Sequence, residues 1–263
     1  MTGGSLADAY SRTGSAWEHG PGRIYRRLAD ELVARVPGGV AGRDVLDLGA
    51  GTGAAGRAAS AAGAARVVEV DFAIGLLTVD RATRPSAVVS DIRALGLRDE
   101  CFDAVVAAFS LNHLTDPRPA AAEAARVLRP RGGLIVAAYA ADDTHPVKQA
   151  VERACTALGW TAPDWYRSLQ REAMPRLSTP DRALDALASA LPGAQAEVVQ
   201  VPFPDLGRHD LVEWRLGMAQ FAPFVATLDG DTRRQLIDDA MASLDDDSPL
   251  IRSIVIVRWS KPG

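Results

Sequence analysis

Short apolar runs alternate with alanine-rich, helix-period stretches through the first half of this chain. The runs at 44–48, 66–70, 87–90, 104–109 and 134–139 are too short for helices, and all but the last end in or beside Gly, Asp or Ser. Strands that read as continuous apolar runs are buried on both faces, as in a parallel sheet covered by helices. Helical segments fit between them at 54–62, 74–82 and 118–128. Asp116-Pro117 reads as an N-cap with proline in the first turn. Arg129-Pro130-Arg131-Gly132-Gly133 closes that last helix. The β-α-β-α rhythm predicts a doubly wound α/β sheet.

Outside this region the pattern changes. Residues 1–43 are polar and turn-rich, then helical over 24–36, with Pro37-Gly38-Gly39 as a stop. After Tyr139, three helices are expected across 145–191, broken near Gly159, Pro163 and Ser178-Thr179-Pro180. A strand at 196–201 and a helical block at 209–245 precede a β-branched strand at 251–259. All five tryptophans lie outside 44–139. That distribution predicts a helical cap whose aromatics line an apolar substrate pocket; the alternative is that they form the cap's own core.

The sharpest local feature is Val45-Leu46-Asp47-Leu48-Gly49-Ala50-Gly51-Thr52-Gly53. Three glycines at alternate positions follow a strand and precede a helix. Glycine is required where dihedrals are unusual or a ligand must lie on the main chain, and a helix start offers free N–H groups. A small cofactor at the tip of the first strand is implied.

Composition narrows the classes. The 263 residues suffice for one α/β domain with a modest insertion. A net charge of −4 with scattered basic residues argues against nucleic acid as a partner. No window reaches 18 uninterrupted apolar residues, so no membrane helix is expected, and Met1-Thr2-Gly3-Gly4-Ser5 lacks the features of a signal peptide. Cys101 and Cys155 imply neither a disulfide framework nor a metal site. A cytoplasmic protein without metal is the expectation.

Gly51-Thr52-Gly53-Ala54-Ala55-Gly56 matches the dinucleotide fingerprint G-x-G-x-x-G, and Asp71 follows at the distance of a ribose-binding acid. An NAD(P)-dependent oxidoreductase is therefore one reading. Against it, Asp47 sits where dinucleotide binders keep an apolar residue, and a carboxylate there can receive a cationic amine. Asp91 ends the third strand, where it can accept from an adenine amine. Nothing later resembles a second nucleotide half-site.

As an ordered set these residues resemble a class I S-adenosylmethionine-dependent methyltransferase, in the small-molecule branch around the ubiquinone/menaquinone biosynthesis methyltransferases. Val45–Gly53 resembles that family's first motif, and Val68-Glu69-Val70-Asp71 its ribose-binding strand end. Ser90-Asp91-Ile92 with Cys101-Phe102-Asp103-Ala104-Val105-Val106 resembles its adenine loop and fourth strand. Phe109-Ser110-Leu111-Asn112-His113-Leu114 and Ala125–Gly133 are similar to the segments that follow. Tyr10-Ser11-Arg12 and Trp17 resemble an entry segment in which a tyrosine closes over the cofactor. Two stretches depart from the family pattern, Phe72-Ala73-Ile74-Gly75 and 92–97.

The resemblance implies a Rossmann-like seven-stranded sheet, five parallel strands plus an antiparallel closing pair, with a helical cap. It divides the chain into N-terminal lid helices (1–43), a cofactor-binding core (44–139) and cap insertions with the closing strands (140–263). S-adenosyl-L-methionine would be held by Asp47, Gly49, Ala50, Gly51, Gly53, Asp71, Phe72, Asp91, Ile92 and Phe109. Asp47 would orient the ammonium, Asp71 would accept both ribose hydroxyls and Asp91 the adenine amine. His113 is the candidate general base, and Tyr10 would shield or orient the methyl group. The expected reaction is methyl transfer to O, N or C of a small, partly apolar metabolite, in bacterial natural-product tailoring, by a monomer or homodimer. A methyltransferase-like scaffold for a non-methylating step such as cyclisation is the other alternative.

Overall fold

The computed structural model describes residues 6–244 and 248–263. Seven strands form one sheet in the order β3-β2-β1-β4-β5-β7-β6. They are β1 (Asp44–Leu48), β2 (Arg66–Asp71), β3 (Ser86–Val89), β4 (Phe102–Ala108), β5 (Leu128–Tyr139), β6 (Gln195–Phe203) and β7 (Leu250–Ser260). The first five run parallel, and β7 pairs antiparallel with both β5 and β6. The predicted sheet, with its closing pair, is the one observed.

Strand side chains alternate between two apolar layers. Val45, Ala104, Val106 and Ile135 point to one side, and Leu46, Leu48, Val105 and Leu134 to the other. The first layer is covered by α3 (Gly22–Val33), α4 (Ala54–Ala61), α7 (Pro146–Ala157), α10 (Arg208–Leu216) and α12 (Gly230–Ala242), the second by α6 (Arg118–Val127) and α9 (Pro180–Leu187). Buried Ala55, Ala58 and Ala59 let α4 lie close to the sheet directly behind the glycine turn. Among the described residues no helix is long and apolar enough to cross a membrane.

Several expectations need correction. The helix foreseen over 74–82 is a single turn, α5 (Ile74–Leu77). Beyond it Asp80 takes a left-handed φ of 52° and the Arg84 guanidinium occupies the Leu76 and Val79 carbonyls, which stops propagation. With that helix cut short, β3 stands at the sheet's edge with all four residues exposed, not buried on both faces. β5 begins at Leu128 rather than at 134, because Arg131 and Gly132 exchange backbone hydrogen bonds with Lys261. The polar N-terminal stretch contributes α1 (Leu6–Ser11) and α2 (Gly14–His19); residues 1–5 of the foreseen lid lie outside the described residues. The block expected at 209–245 is α10, α11 (Ala222–Val225) and α12, and its residue 245 is likewise outside them. Between α7 and α9, α8 (Asp164–Ser168) runs on through a π turn at Leu169–Ala173 and a 3-10 turn at Met174–Leu177.

Three of the four tryptophans after residue 139 follow the plainer alternative, while Trp165 packs against the cavity-lining Tyr10. Trp160 and Phe221 pack with ring centres 4.5 Å apart, and the Trp160 indole N–H donates to the Gln220 carbonyl. Trp214 is fully enclosed, and Trp259 donates to the Pro192 carbonyl. These side chains build the cap's interior.

Candidate cofactor site

The turn after β1 needs glycine for three separate reasons. Gly49, Gly51 and Gly53 all have left-handed φ values, 79°, 55° and 86°. At Gly49 a Cβ would lie 2.2 Å from the Ser110 Cβ, where the turn meets the loop after β4. At Gly51 only the Leu76 side chain comes near, at 3.9 Å, so the backbone faces open space. At Gly53 and at Gly56 a Cβ would meet the Glu69 carboxylate, at 2.6 and 2.2 Å.

That open space is a cavity of about 500 Å³ at the carboxyl ends of β1, β2 and β4. The sheet order reverses between β1 and β4, the position where open α/β sheets hold their ligands. Asp47, Gly49, Ala50, Gly51, Asp71, Phe72, Asp91, Ile92, Phe109, His113 and Tyr10 all line it. Gly53 is the one predicted site residue outside the lining; it caps α4 and looks toward Glu69.

Asp71 is locked from two directions. One carboxylate oxygen accepts from the Gly51 N–H and the other from the Ala73 N–H, both at 2.8 Å. Burial lifts its pKa, opposed by those N–H groups and by Arg84. Each oxygen keeps a second lone pair for a ligand hydroxyl. Asp47 is buried; its Oδ2 accepts from the Gly56 N–H at 2.7 Å, while Oδ1 has no partner. Burial, then the neighbouring Glu69 carboxylate, pushes its pKa up to about 8. A cation beside it would bring that value back down. Asp91 is exposed and chelated by Arg93, which lowers its pKa. Ile92 is buried on the wall and Phe72 is 40% exposed at the rim.

Sequence reasoning missed the Glu69–Arg84 pair, whose side chains are almost wholly enclosed at 2.6 Å. Arg84 also donates to the Gly51 carbonyl at 3.1 Å, so this pair fixes the glycine turn from beneath. The signal was present: an acid within the apolar run Val67-Val68-Glu69-Val70 of a buried strand demands a partner.

The opposite wall is aromatic and comes from the N-terminal helices, not from the cap. Tyr10, Trp17 and Tyr25 line the cavity with Phe109. Tyr10 touches Trp17 and Trp165, and meets His113 edge-on with centroids 5.4 Å apart. Burial raises the Tyr10 phenol far above its usual range. It drives the His113 imidazole down to about 4, so this ring is neutral at physiological pH. Neither nitrogen of His113 has a hydrogen-bond partner among the described residues, and no His/Cys/Asp/Glu group among them is arranged to hold a metal. Phe109 itself takes a left-handed φ of 57° and stacks on Tyr139.

The electrostatics are one-sided. Asp47, Glu69 and Asp71 are enclosed together with Arg84 as their buried counter-charge. Such a site complements a cationic ligand.

Comparison with known proteins agrees. Residues 46–136 match the family model described as a methyltransferase domain. A demethylmenaquinone methyltransferase of Renibacterium salmoninarum is 37% identical over 143 residues, 54% of this chain and 56% of the relative. The chain thus spans about half the length of the curated relatives it matches. The Haemonchus contortus phosphoethanolamine N-methyltransferase 2, solved with phosphomonomethylethanolamine and S-adenosylhomocysteine, superposes with a TM-score of 0.56 at 17% identity, over 90% of this chain and 52% of that one. The [4+2]-cyclase SpnF superposes with a TM-score of 0.51 at 20% identity, over 90% of this chain and 81% of that one. At these identities the structural likeness concerns the fold.

Proposed function

We propose that this chain, whose residues 46–136 match the family model of a methyltransferase domain, transfers a methyl group from S-adenosylmethionine to a small organic acceptor. One observation carries the reading: acids from the tips of β1, β2 and β3 converge on a single cavity whose floor is a left-handed glycine turn. The fit to the cofactor rests on the unpartnered Asp47 Oδ1 and on the open face above Gly51. When bound, S-adenosylmethionine supplies an electrophilic methyl group on a sulfonium.

Asp71 receives the ribose hydroxyls with a carboxylate already oriented by Gly51 and Ala73. Asp47 holds the ammonium through Oδ1. Asp91, steadied by Arg93, would take the adenine amine, and Ile92 or Phe72 would pack on the adenine face. The helices between residues 6 and 43 act as a lid over the core of 44–139, and Tyr10 excludes water above the reacting centre. The chain's main contribution is placement: holding donor and acceptor in line supplies much of the rate in such transfers.

His113 stands on the acceptor side as a neutral imidazole, in the form that can take a proton from a hydroxyl. With its pKa near 4 it is a weak base, so it suits an acceptor acidic enough to need little help, such as a phenol, or one with no proton to lose. The aromatic wall of Tyr10, Trp17, Tyr25 and Phe109 favours an acceptor with an apolar body. A tailoring step in bacterial natural-product synthesis, carried out in the cytoplasm, is the setting we propose.

The test is a calorimetric titration with S-adenosylhomocysteine and, separately, NAD, followed by mass spectrometry of acceptor incubations. S-adenosylhomocysteine should bind and NAD should not, and a product should gain the mass of one methylene. Tight NAD binding without S-adenosylhomocysteine binding would replace this reading with a redox one. Cofactor binding with acceptors consumed and no mass gain would point instead to a non-methylating catalyst.

A further inference from the structure

The N-terminal helices rest on the rest of the chain at three places. The Ser11 carbonyl, at the end of α1, comes so near Gly75 of α5 that a Cβ there would lie 2.0 Å from it. α2 meets α10 in the same way: a Cβ on Gly217 would lie 2.8 Å from the Ala16 carbonyl, and one on Gly20 2.6 Å from the Glu213 carbonyl. Both are contacts of main chain on main chain. The third is ionic. Glu18 of α2 follows Trp17, whose ring lines the cavity. Its Oε1 accepts from Arg26 of α3, and its Oε2 faces α4.

Arg57 of α4 stands opposite, and its two arms differ. Nη1 donates at 2.7 Å to the carbonyl of Thr52, a residue of the glycine turn that lines the cavity. Nη2 lies 3.6 Å from Glu18 Oε2. Both of these atoms are enclosed, and neither has a hydrogen-bond partner. A charged donor and a charged acceptor shut away from water are costly while unpaired. Each is the remedy for the other, since an approach of roughly half an ångström brings them to hydrogen-bonding distance. Gly22 keeps the space beside them clear, because a Cβ there would lie 3.2 Å from Glu18 Oε2. One ion pair thus spans the two walls of the cavity, from Trp17 on the lid side to Thr52 on the turn side.

Resting on the methyl-transfer reading, we propose that Glu18 and Arg57 are positioning residues that latch the N-terminal lid to the glycine turn when the cofactor is in place. Neither lines the cavity, so each acts through a neighbour, Arg57 through the Thr52 carbonyl and Glu18 through Trp17. A ligand lying on Gly51 and Thr52 beneath Tyr10 and Trp17 touches both walls and draws them together. The latch then completes its hydrogen bond. By linkage, a completed latch holds the ligand longer to the same degree that the ligand favours the latch.

The experiment follows release of radiolabelled S-adenosylhomocysteine from the full chain into excess unlabelled ligand, for wild type, Glu18→Gln, Arg57→Gln and the double variant. Glu18→Gln should release the ligand about tenfold faster, the effect of one charge-assisted hydrogen bond, with its association rate changed far less. Arg57→Gln also loses the Thr52 contact and should be at least as fast, and the double variant should be no faster than Arg57→Gln alone. An ion pair that merely stabilises the fold couples the two residues equally in the free and the bound chain. The four proteins are therefore also unfolded in urea with and without saturating S-adenosylhomocysteine. The Glu18–Arg57 coupling from that cycle should be about tenfold larger, as an equilibrium factor, with ligand than without. Glu18→Asp, which keeps the charge and shortens the reach, should release at a rate between wild type and Glu18→Gln, and it covers a glutamine variant that does not fold. Unchanged release from folded variants, single effects that multiply in the double variant, or equal coupling with and without ligand overturns the latch and leaves the methyl-transfer reading standing. A wild-type chain that does not bind S-adenosylhomocysteine removes that reading and the latch with it.

Discussion

Removing Arg84 tests how the glycine turn is held. Its guanidinium is enclosed with the Glu69 carboxylate and also serves the carbonyls of Gly51, Leu76 and Val79. Arg84→Met leaves that carboxylate buried without a counter-charge, a change that costs about 3–5 kcal/mol. For a chain of this size each kcal/mol lowers the melting temperature by about 2 °C, so a drop of roughly 6–10 °C is expected. Burial already raises the Glu69 pKa, and Arg84 is the main influence opposing it. Without Arg84 that pKa climbs further above its unfolded value. An acid with a raised folded pKa contributes stability at low pH that is lost as pH rises through that value. The deficit of Arg84→Met relative to wild type must therefore be largest at mildly alkaline pH and shrink on acidification. The double variant Glu69→Leu with Arg84→Met should recover most of the loss, because an apolar pair of similar volume avoids the buried charge. Urea unfolding of all three proteins at two pH values is the assay. A single-variant loss below about 1 kcal/mol, or a double variant no better than the single, would refute the assigned role.

Three further outcomes follow from the site. Asp71→Asn puts an amide N–H against the N–H of Gly51 or Ala73, so S-adenosylhomocysteine affinity in calorimetry should fall tenfold or more. Asp47 titrates near 8 and a bound ammonium stabilises its ionised form, so ligand binding at neutral pH should release a proton. Calorimetry in buffers of different ionisation heat should detect that release, and Asp47→Asn should abolish it. Gly49→Ala forces a side chain into a left-handed turn against Ser110, costing about 1–2 kcal/mol for the backbone and about 1–3 kcal/mol for the contact. In urea unfolding, a companion Ser110→Gly should return only the contact portion.

Much of this arrangement could be read from residue order. The glycine turn and the acids at strand tips depend on local spacing and short apolar runs, and these survive translation into structure; the antiparallel pairing of the last two strands is implied by the family resemblance. What escaped depends on contacts between distant positions. The residues 74–82 carry a helical pattern with no breaker before Pro85, yet Arg84 captures the carbonyls that a longer helix would use. Glu69 demands a partner by its place in an apolar run, but residue order does not say that Arg84, on the far side of a loop, is that partner. The cap tryptophans looked like pocket lining because aromatic content alone does not say which side of a helix faces inward. The wall is built instead by Tyr10, Trp17 and Tyr25, from the N-terminal stretch that the resemblance assigns to a lid rather than to the pocket's aromatic lining.

The stitch between Ser110 and the first strand has a mechanical meaning. The Ser110 hydroxyl reaches back to the Leu48 carbonyl at 2.6 Å, and its Cβ abuts Gly49 so closely that no side chain fits between them. The segment that cradles the donor and the one that carries His113 are thereby fastened together at their roots. Thermal jostling displaces them jointly, so the gap across which a group must pass stays steady while the rest of the molecule breathes.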